Sequence, residues 1–462
     1  MKTKQLRYIL WSLVLSVAVQ STTAQSVSRT GYFMENATHR HLMNPALTSD
    51  KGYFSLPILG ELSMGLESNL LLSDFLYPSK NGGKLITFLH PDVDATTFLS
   101  NLDASNYLNA DIRTSILSMG LNTKIGYLTF DVASHANISM NLPYELFSFM
   151  KLGMTNGQGN EYNIRNLNIG TGAYVEASLG YARNIMDNFR VGVKLKYLAG
   201  IANVKAIVQE MEVNMSQEQW SISSNAKIDV YGKGFTFKKD SEDQSISGIE
   251  FDSPGMGGSG FAIDLGVVYS PIENLDISLG IIDLGSITYK KENVLHATSS
   301  GSVEFSGLDG IGTDSTANQA VEDQIEQLKD DAMNMFKFKE TTSTDAKQKL
   351  YTTVNAGAQY KLYKEKIGVG LLYTGRFMDG KTFSELMASA TYNPIKWVQI
   401  AGSYSFIHSN FKTFGLALNL SPGFVNLFLA CDYIVLKRTP QYIPLNTAST
   451  NFQFGLAITL GK

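Results

Sequence analysis

"NFQFGLAITLGK", residues 451–462, is the stretch whose reading decides the fold. Phe452, Phe454, Leu456, Ile458 and Leu460 fall on one side of a two-residue period. Asn451, Gln453, Gly455, Ala457, Thr459 and Gly461 fall on the other, and all are small or polar. Successive side chains of a β-strand point to opposite faces, so this is a strand with one apolar and one polar face. With apolar residues at 44%, alternation over ten residues arises by chance about once in a chain of this length. Repetition is therefore the test.

The pattern repeats. "TFGLALNL" sets Phe414, Leu416, Leu418 and Leu420 against Thr413, Gly415, Ala417 and Asn419; "FAIDLGVVYS" (261–270) places Asp264 among the small residues opposite Phe261, Ile263 and Leu265. "RVGVKLKY" puts Lys194 and Lys196 opposite Val193, Leu195 and Tyr197, and "VNLFLACDYIVL" puts Asp432 opposite Cys431 and Tyr433. A soluble sandwich alternates in the same way, so the connections must discriminate. Short turns follow Tyr181, Tyr269, Tyr360 and Tyr392, and Pro271, Pro394 and Pro422 sit where no N–H donor is required. The alternate connections include the long polar runs 202–260 and 286–351. Short turns at one end, long loops at the other and an aromatic girdle at the short-turn end are the marks of an outer-membrane barrel.

About eleven strands of spanning length follow Gly172, and 54–66, 115–121 and 124–132 supply three more. The reading is all-β: a transmembrane antiparallel up-and-down barrel of about fourteen strands. The hairpin around 204–230 extends beyond the membrane; if it spans, the count is sixteen. Helix-like pieces after Pro143 and around Val321, Ile325 and Leu328 belong to external loops. The last strand must pair with the first to close the barrel, because an open edge does not survive in hydrocarbon. A charge on its apolar face should block assembly, whereas Gln453→Glu on the other face is expected to be harmless.

The N-terminus sets the compartment. Lys2, Lys4 and Arg7 precede a short apolar run and small residues, which predicts a signal peptide over 1–24 cut between Ala24 and Gln25. Residues 25–50 then lead into the barrel, 51–462, placed in the outer membrane. The lone Cys431 offers no internal disulfide. A net charge of −4 and pI near 5.9 argue against nucleic acid. Six His, one Cys, no Gly-x-Ser-x-Gly and no His-Glu-x-x-His leave no catalytic, cofactor or metal site to name, and the chain is not read as an enzyme. His39 and His41 flank Arg40 but lack further ligands. Asp264, Asp283, Asp432 and Lys194 are read as lumen-facing.

The stretch "RHLMNPALTSDKGYFSLPILG" contains Arg40, Asn44, Pro45 and Ala46 just before the first strand. Here the chain resembles a Bacteroidota family of exported barrels of unknown function, with an NPA segment, an "lP-lG" strand and a barrel to the C-terminus. The segment is also similar to the plug region of FadL-type fatty-acid transporters and PorV-like secretion barrels. The resemblance implies that residues 25–50 are a plug-like segment tucked into the lumen, with Arg40, Asn44, Pro45, Asp264 and Asp432 as plug and lumen candidates; the alternative is a linker that merely leads into the first strand. Arg40 is expected to be held by Asp264 or Asp432, since a charge in a narrow lumen needs a partner. Two functions follow: a transporter or channel for small molecules, hydrophobic ones included, or a structural or secretion-accessory barrel binding proteins through its loops. Expected partners are outer-membrane lipid and the insertion machinery, with a small hydrophobic ligand in the first case. Neither ligand identity nor oligomeric state is legible.

Overall fold

The computed structural model describes residues 27–460 apart from 58, 80–83, 155–158, 254, 307–322, 325, 329, 332–333, 379–380, 408–410 and 435–448. The expected signal peptide and most of the helix-like run around Val321 and Ile325 lie outside the described residues. Fourteen strand positions follow one another in a single antiparallel sheet. They are β1 (Gly52–Ser55 and Leu62–Ser68), β2 (Ser105–Thr123), β3 (Gly126–Pro143), β4 (Asn160–Met186) and β5 (Phe189–Met215). Next come β6 (Gly258–Ile272), β7 (Leu275–Tyr289), β8 (Thr352–Leu362), β9 (Ile367–Met378) and β10 (Lys381–Ile395). The wall is completed by β11 (Val398–Ile407), β12 (Phe411–Leu420), β13 (Val425–Cys431) and β14 (Thr450–Leu460). Both pieces of β1 pair with β14, through Phe54 opposite Ile458 and Leu62 opposite Phe454, and both also pair with β2. The sheet is closed, with fourteen strands.

Sequence alternation becomes the two faces of this wall. On β14, Asn451, Gln453 and Ala457 are buried while Phe452, Ile458 and Leu460 are exposed. On β6, Phe261 is 73% exposed and Asp264 is fully buried. The outside is thus apolar and the inside small or polar. Exposed Tyr269, Tyr360, Tyr392, Trp397 and Phe424 gather near the short turns, while Phe261, Phe406, Phe414 and Phe452 lie toward the other end. Phe261 and Tyr269 are eight residues apart on one strand, about 27 Å at ~3.4 Å per residue. A tilt of about 40° reduces this to roughly 20 Å of height, near the apolar band of a membrane barrel.

One strand departs from its sequence reading. The run 54–66 reads as continuous but breaks after Ser55 and resumes at Leu62. Pro57 offers no N–H, and the Gly60 N–H turns back to the Leu56 carbonyl. Carbonyls of the break still bond the neighbours: Leu59 accepts from Leu456 N–H and Glu61 from Ser115 N–H. The wall stays sealed there.

Beyond the loop end the structure continues. β4 and β5 have 27 residues each, far more than the roughly ten a tilted strand needs to span. Their upper halves carry Trp220–Gly232, which pairs in turn with Val294–Phe305. The hairpin around 204–230 therefore extends the wall and adds no spanning strand. A helix at Tyr144–Leu152 follows Pro143 as its sequence suggests, and Phe147 packs there with Phe75, Phe88 and Phe98.

Candidate functional site

Residues 27–48 lie inside the barrel, most of them buried. The segment starts in the loop half, descends toward the turn end, crosses the lumen as a short 3-10 helix (Thr38–Leu42) and leaves at the turn end into β1. Strand side chains hold it throughout.

At its start, Asp432 accepts from Ser28 Oγ (2.5 Å), Arg29 N–H (2.9 Å) and Thr30 N–H (3.0 Å). Gln453 Oε1 accepts from Ser28 N–H (2.9 Å). The Arg29 guanidinium pairs with Glu385 and donates to Tyr433 Oη, with both sides of the ion pair almost fully buried. Lower down, Glu35 meets Lys361 at 2.5 Å, and the Asn36 backbone is bonded by Gln399 and Asn426. Apolar side chains fill the spaces between, with Tyr32, Phe33, Met43 and Leu47 packed on Leu372 and Met387.

The crossing is seated on small residues. Asn44 Oδ1 accepts from Ala46 N–H (2.9 Å), closing a turn around Pro45, and Asn44 Nδ2 donates to the Val267 carbonyl (3.3 Å). A Cβ on Gly266 would collide with Asn44 Oδ1, and one on Gly192 with the Pro45–Ala46 backbone. On β14 a Cβ at Gly455 would strike the His39 ring. The small faces that made the strands legible are therefore the cradle of residues 39–46. His39 Nε2 lies 3.1 Å from the Gly60 carbonyl, inside the break of β1.

Arg40 departs from expectation. It pairs with neither Asp264 nor Asp432; its Nε donates to the Tyr32 carbonyl at 2.8 Å, tying the helical crossing to the descending limb. Asp264 is taken by Lys196 at 2.9 Å and accepts from Asp283 N–H (2.8 Å). Asp432 holds residues 28–30 instead. Arg29, which no motif singled out, forms the ion pair anticipated for Arg40; its only signal was a basic residue in an otherwise small, polar run.

Charges on the wall are paired with one another or with the segment. Glu61 pairs with Arg113, Asp131 with Lys194 (2.9 Å) and His41 (3.2 Å), and Lys196 with Asp264 and Asp283 (2.5 Å). Opposite signs on adjacent strands (Glu61–Arg113, Lys196–Asp264) or on strands one apart (Asp131–Lys194, Lys196–Asp283) satisfy one another. The far wall, from β8 to β13, contributes mainly uncharged polar groups such as Asn355, Gln359 and Gln399. Asn355 Nδ2 donates to the Met43 carbonyl (2.9 Å).

Above the segment, on the loop side, two adjoining cavities of 110 and 410 Å³ share Asn137 and Lys349 in their walls. Val27 and Leu42 belong to the floor of the smaller one. Below, a further 410 Å³ cavity opens at the turn end beside Thr48, Asp50 and Arg190. The segment lies between them.

The profile of the family of unknown function DUF5723 matches residues 45–432, most of the chain. The chain belongs to this family. The DUF5723 match begins at Pro45, in the turn seated on Gly192 and Gly266. No curated protein matches the chain. Similar solved structures include the toluene transporter TbuX of Ralstonia pickettii, with 10% identity over 96% of this chain and 95% of that one, TM-score 0.38. The P. putida toluene transporter TodX has 8% identity over 91% and 93%, TM-score 0.36. A Pseudomonas aeruginosa FadL homologue has 8% identity over 96% and 99%, TM-score 0.43. These values are too low to carry those proteins' ligands over to this DUF5723 chain, whose barrel rests on its own strand pairing.

Proposed function

We propose that this DUF5723 protein is an outer-membrane barrel that passes small solutes through its lumen, and that residues 25–50 close the lumen at rest. The observation that carries the reading is the division of the lumen into cavities above and below residues 27–48. The apolar outer face between two aromatic zones supports a membrane setting, and the short-turn end is assigned to the periplasm. Much of the hold on the segment is polar, through Asp432, Gln399, Asn355 and Asn426. Water can replace such bonds when the segment leaves, whereas a purely apolar seat would remain costly to expose. The walls of the larger loop-side cavity mix polar side chains with Met140, Ile207 and Phe377, which suits a small solute with both a polar and an apolar face.

Deleting residues 29–46 removes no spanning strand. The deletion variant is expected to fold and to conduct more in planar bilayers than the intact barrel. Unchanged conductance in a folded deletion variant would sink the gated-lumen reading.

A second reading, a barrel that binds proteins through its external loops, is favoured by one observation: the sheet that β4 and β5 raise beyond the loop end. Removing residues 204–230 should abolish a co-purifying partner if this reading holds, and leave bilayer conductance intact.

A further inference from the structure

The 410 Å³ cavity on the loop side falls within the range of small-molecule sites, about 300–1,000 Å³. Its walls come from the upper parts of β2 to β5 and from residues 347–352, together with Phe377. Two features set it apart from the charge-paired wall below. Lys205, Lys347 and Lys349 line it and no carboxylate does. Lys205 and Lys347 form no ion pair among the described residues, and Asp229, which faces Lys205 across the strands, is engaged by His296 (2.7 Å) and Lys227 (3.2 Å). Lys205 and Lys347 thus bring positive charge to the cavity without an ion-pair partner among the described residues, in a chain whose net charge is −4.

The second feature is carboxamide chemistry. Asn109 and Asn203 are each 3% exposed and both line the cavity. Asn109 Nδ2 and Asn203 Oδ1 are buried without a partner among the described residues. One is a donor and the other an acceptor. A hydroxyl group serves both roles, and a ligand with several hydroxyls could satisfy the pair together with Asn137.

We propose that this cavity is a binding site for an acidic saccharide: a short chain of hydroxyl-rich rings carrying carboxylates. Lys205 and Lys347 bind the carboxylates, and Asn109 and Asn203 bind ring hydroxyls. The proposal deepens the gated-lumen reading and rests on it, since the site adjoins the smaller cavity whose floor is the segment proposed to close the pore.

The test is calorimetric titration of the intact, detergent-solubilised barrel with three probes: trigalacturonate, the neutral galactotriose, and inorganic phosphate. Trigalacturonate should bind, and the other two at least about tenfold more weakly, the scale set by losing a charge-assisted hydrogen bond. The double variant Lys205→Ala/Lys347→Ala should keep its heat-modifiable mobility and lose about tenfold or more in affinity for trigalacturonate. Asn109→Leu should weaken both saccharides and leave phosphate unaffected. Equal binding of galactotriose would overturn the role of charge, and phosphate binding as tight as trigalacturonate would overturn the saccharide. No binding of trigalacturonate, together with raised conductance on deleting residues 29–46, would overturn this site and leave the gated lumen standing. Binding with unchanged conductance would do the reverse.

Discussion

Asp432 and Arg29 grip the same few residues from opposite sides. The carboxylate of Asp432 collects one hydroxyl and two amide donors from residues 28–30, and Arg29 reaches away to Glu385 and Tyr433. Hydrogen bonds to a charged group contribute about 1.5–3 kcal/mol each at most. Replacing Asp432 by Asn keeps the shape and removes the charge, so residues 28–30 should exchange amide hydrogens faster while the barrel amides stay protected. Arg29→Ala is harsher, because it strands a buried Glu385; loss of one partner of a buried pair costs about 3–5 kcal/mol. Its segment should become sensitive to protease in a barrel that still runs as folded. Gly266→Val acts on the seat: the added side chain meets Asn44 Oδ1, and conductance should rise toward that of the deletion variant. Unaltered conductance would show that the turn at Pro45 can shift without opening the lumen.

At the scale of a strand, the two faces of β14 answer to different solvents. Phe454→Arg or Leu456→Arg places a charge near mid-bilayer, at a cost of about 2–4 kcal/mol, and should leave the protein heat-unmodifiable on gels. Gln453→Glu was expected from sequence to be harmless. Gln453 in fact donates to Glu61 Oε1 (3.1 Å) and accepts from Ser28, so a carboxylate there faces a second carboxylate and still holds the segment's first amide. This variant should assemble normally and loosen residues 28–30, a phenotype the lipid-face variants cannot produce. The contrast shows what strand patterning can convey. A period of two reveals which face is inside, because lipid and lumen select opposite residue types along the whole strand. It does not reveal partners: Arg29 finds Glu385 across 356 residues of sequence, and Arg40 turns to a backbone carbonyl that any residue could supply. The break in β1 was hidden for a similar reason, since Leu56 to Glu61 remain largely apolar while their backbone leaves the ladder.

On the scale of the whole molecule, every connection at one end is a short turn, while the α-helices, hairpins and long connections fall at the other. Cysteine placed at Asn274, in a Cys431→Ser background, should resist a membrane-impermeant label in intact cells. Cysteine at Glu242, in an exposed hairpin loop, should react. The reverse pattern would invert the orientation and exchange the roles of the cavities. The number of strands was legible because each needs its own apolar face. The cavity over the segment was not, because Lys205, Asn109 and Lys347 come from three separate stretches that meet only when the wall curves.

The bonds between residues 28–36 and the wall also order events in time. Ser28, Arg29 and Thr30 leave the ribosome before every strand, yet Asp432 and Gln453, which hold them, come last. Asn36 waits for Asn426 across 390 residues. Contacts so distant in sequence form late, since the intervening chain must first lose its freedom. The seat of residues 28–36 is complete only when the strands around Asn426, Asp432 and Gln453 have joined the wall, so these residues are expected to dock after it closes. Protease resistance of residues 28–36 should lag behind heat-modifiable mobility during refolding into lipid, and Asp432→Asn should lengthen the lag without slowing closure of the wall.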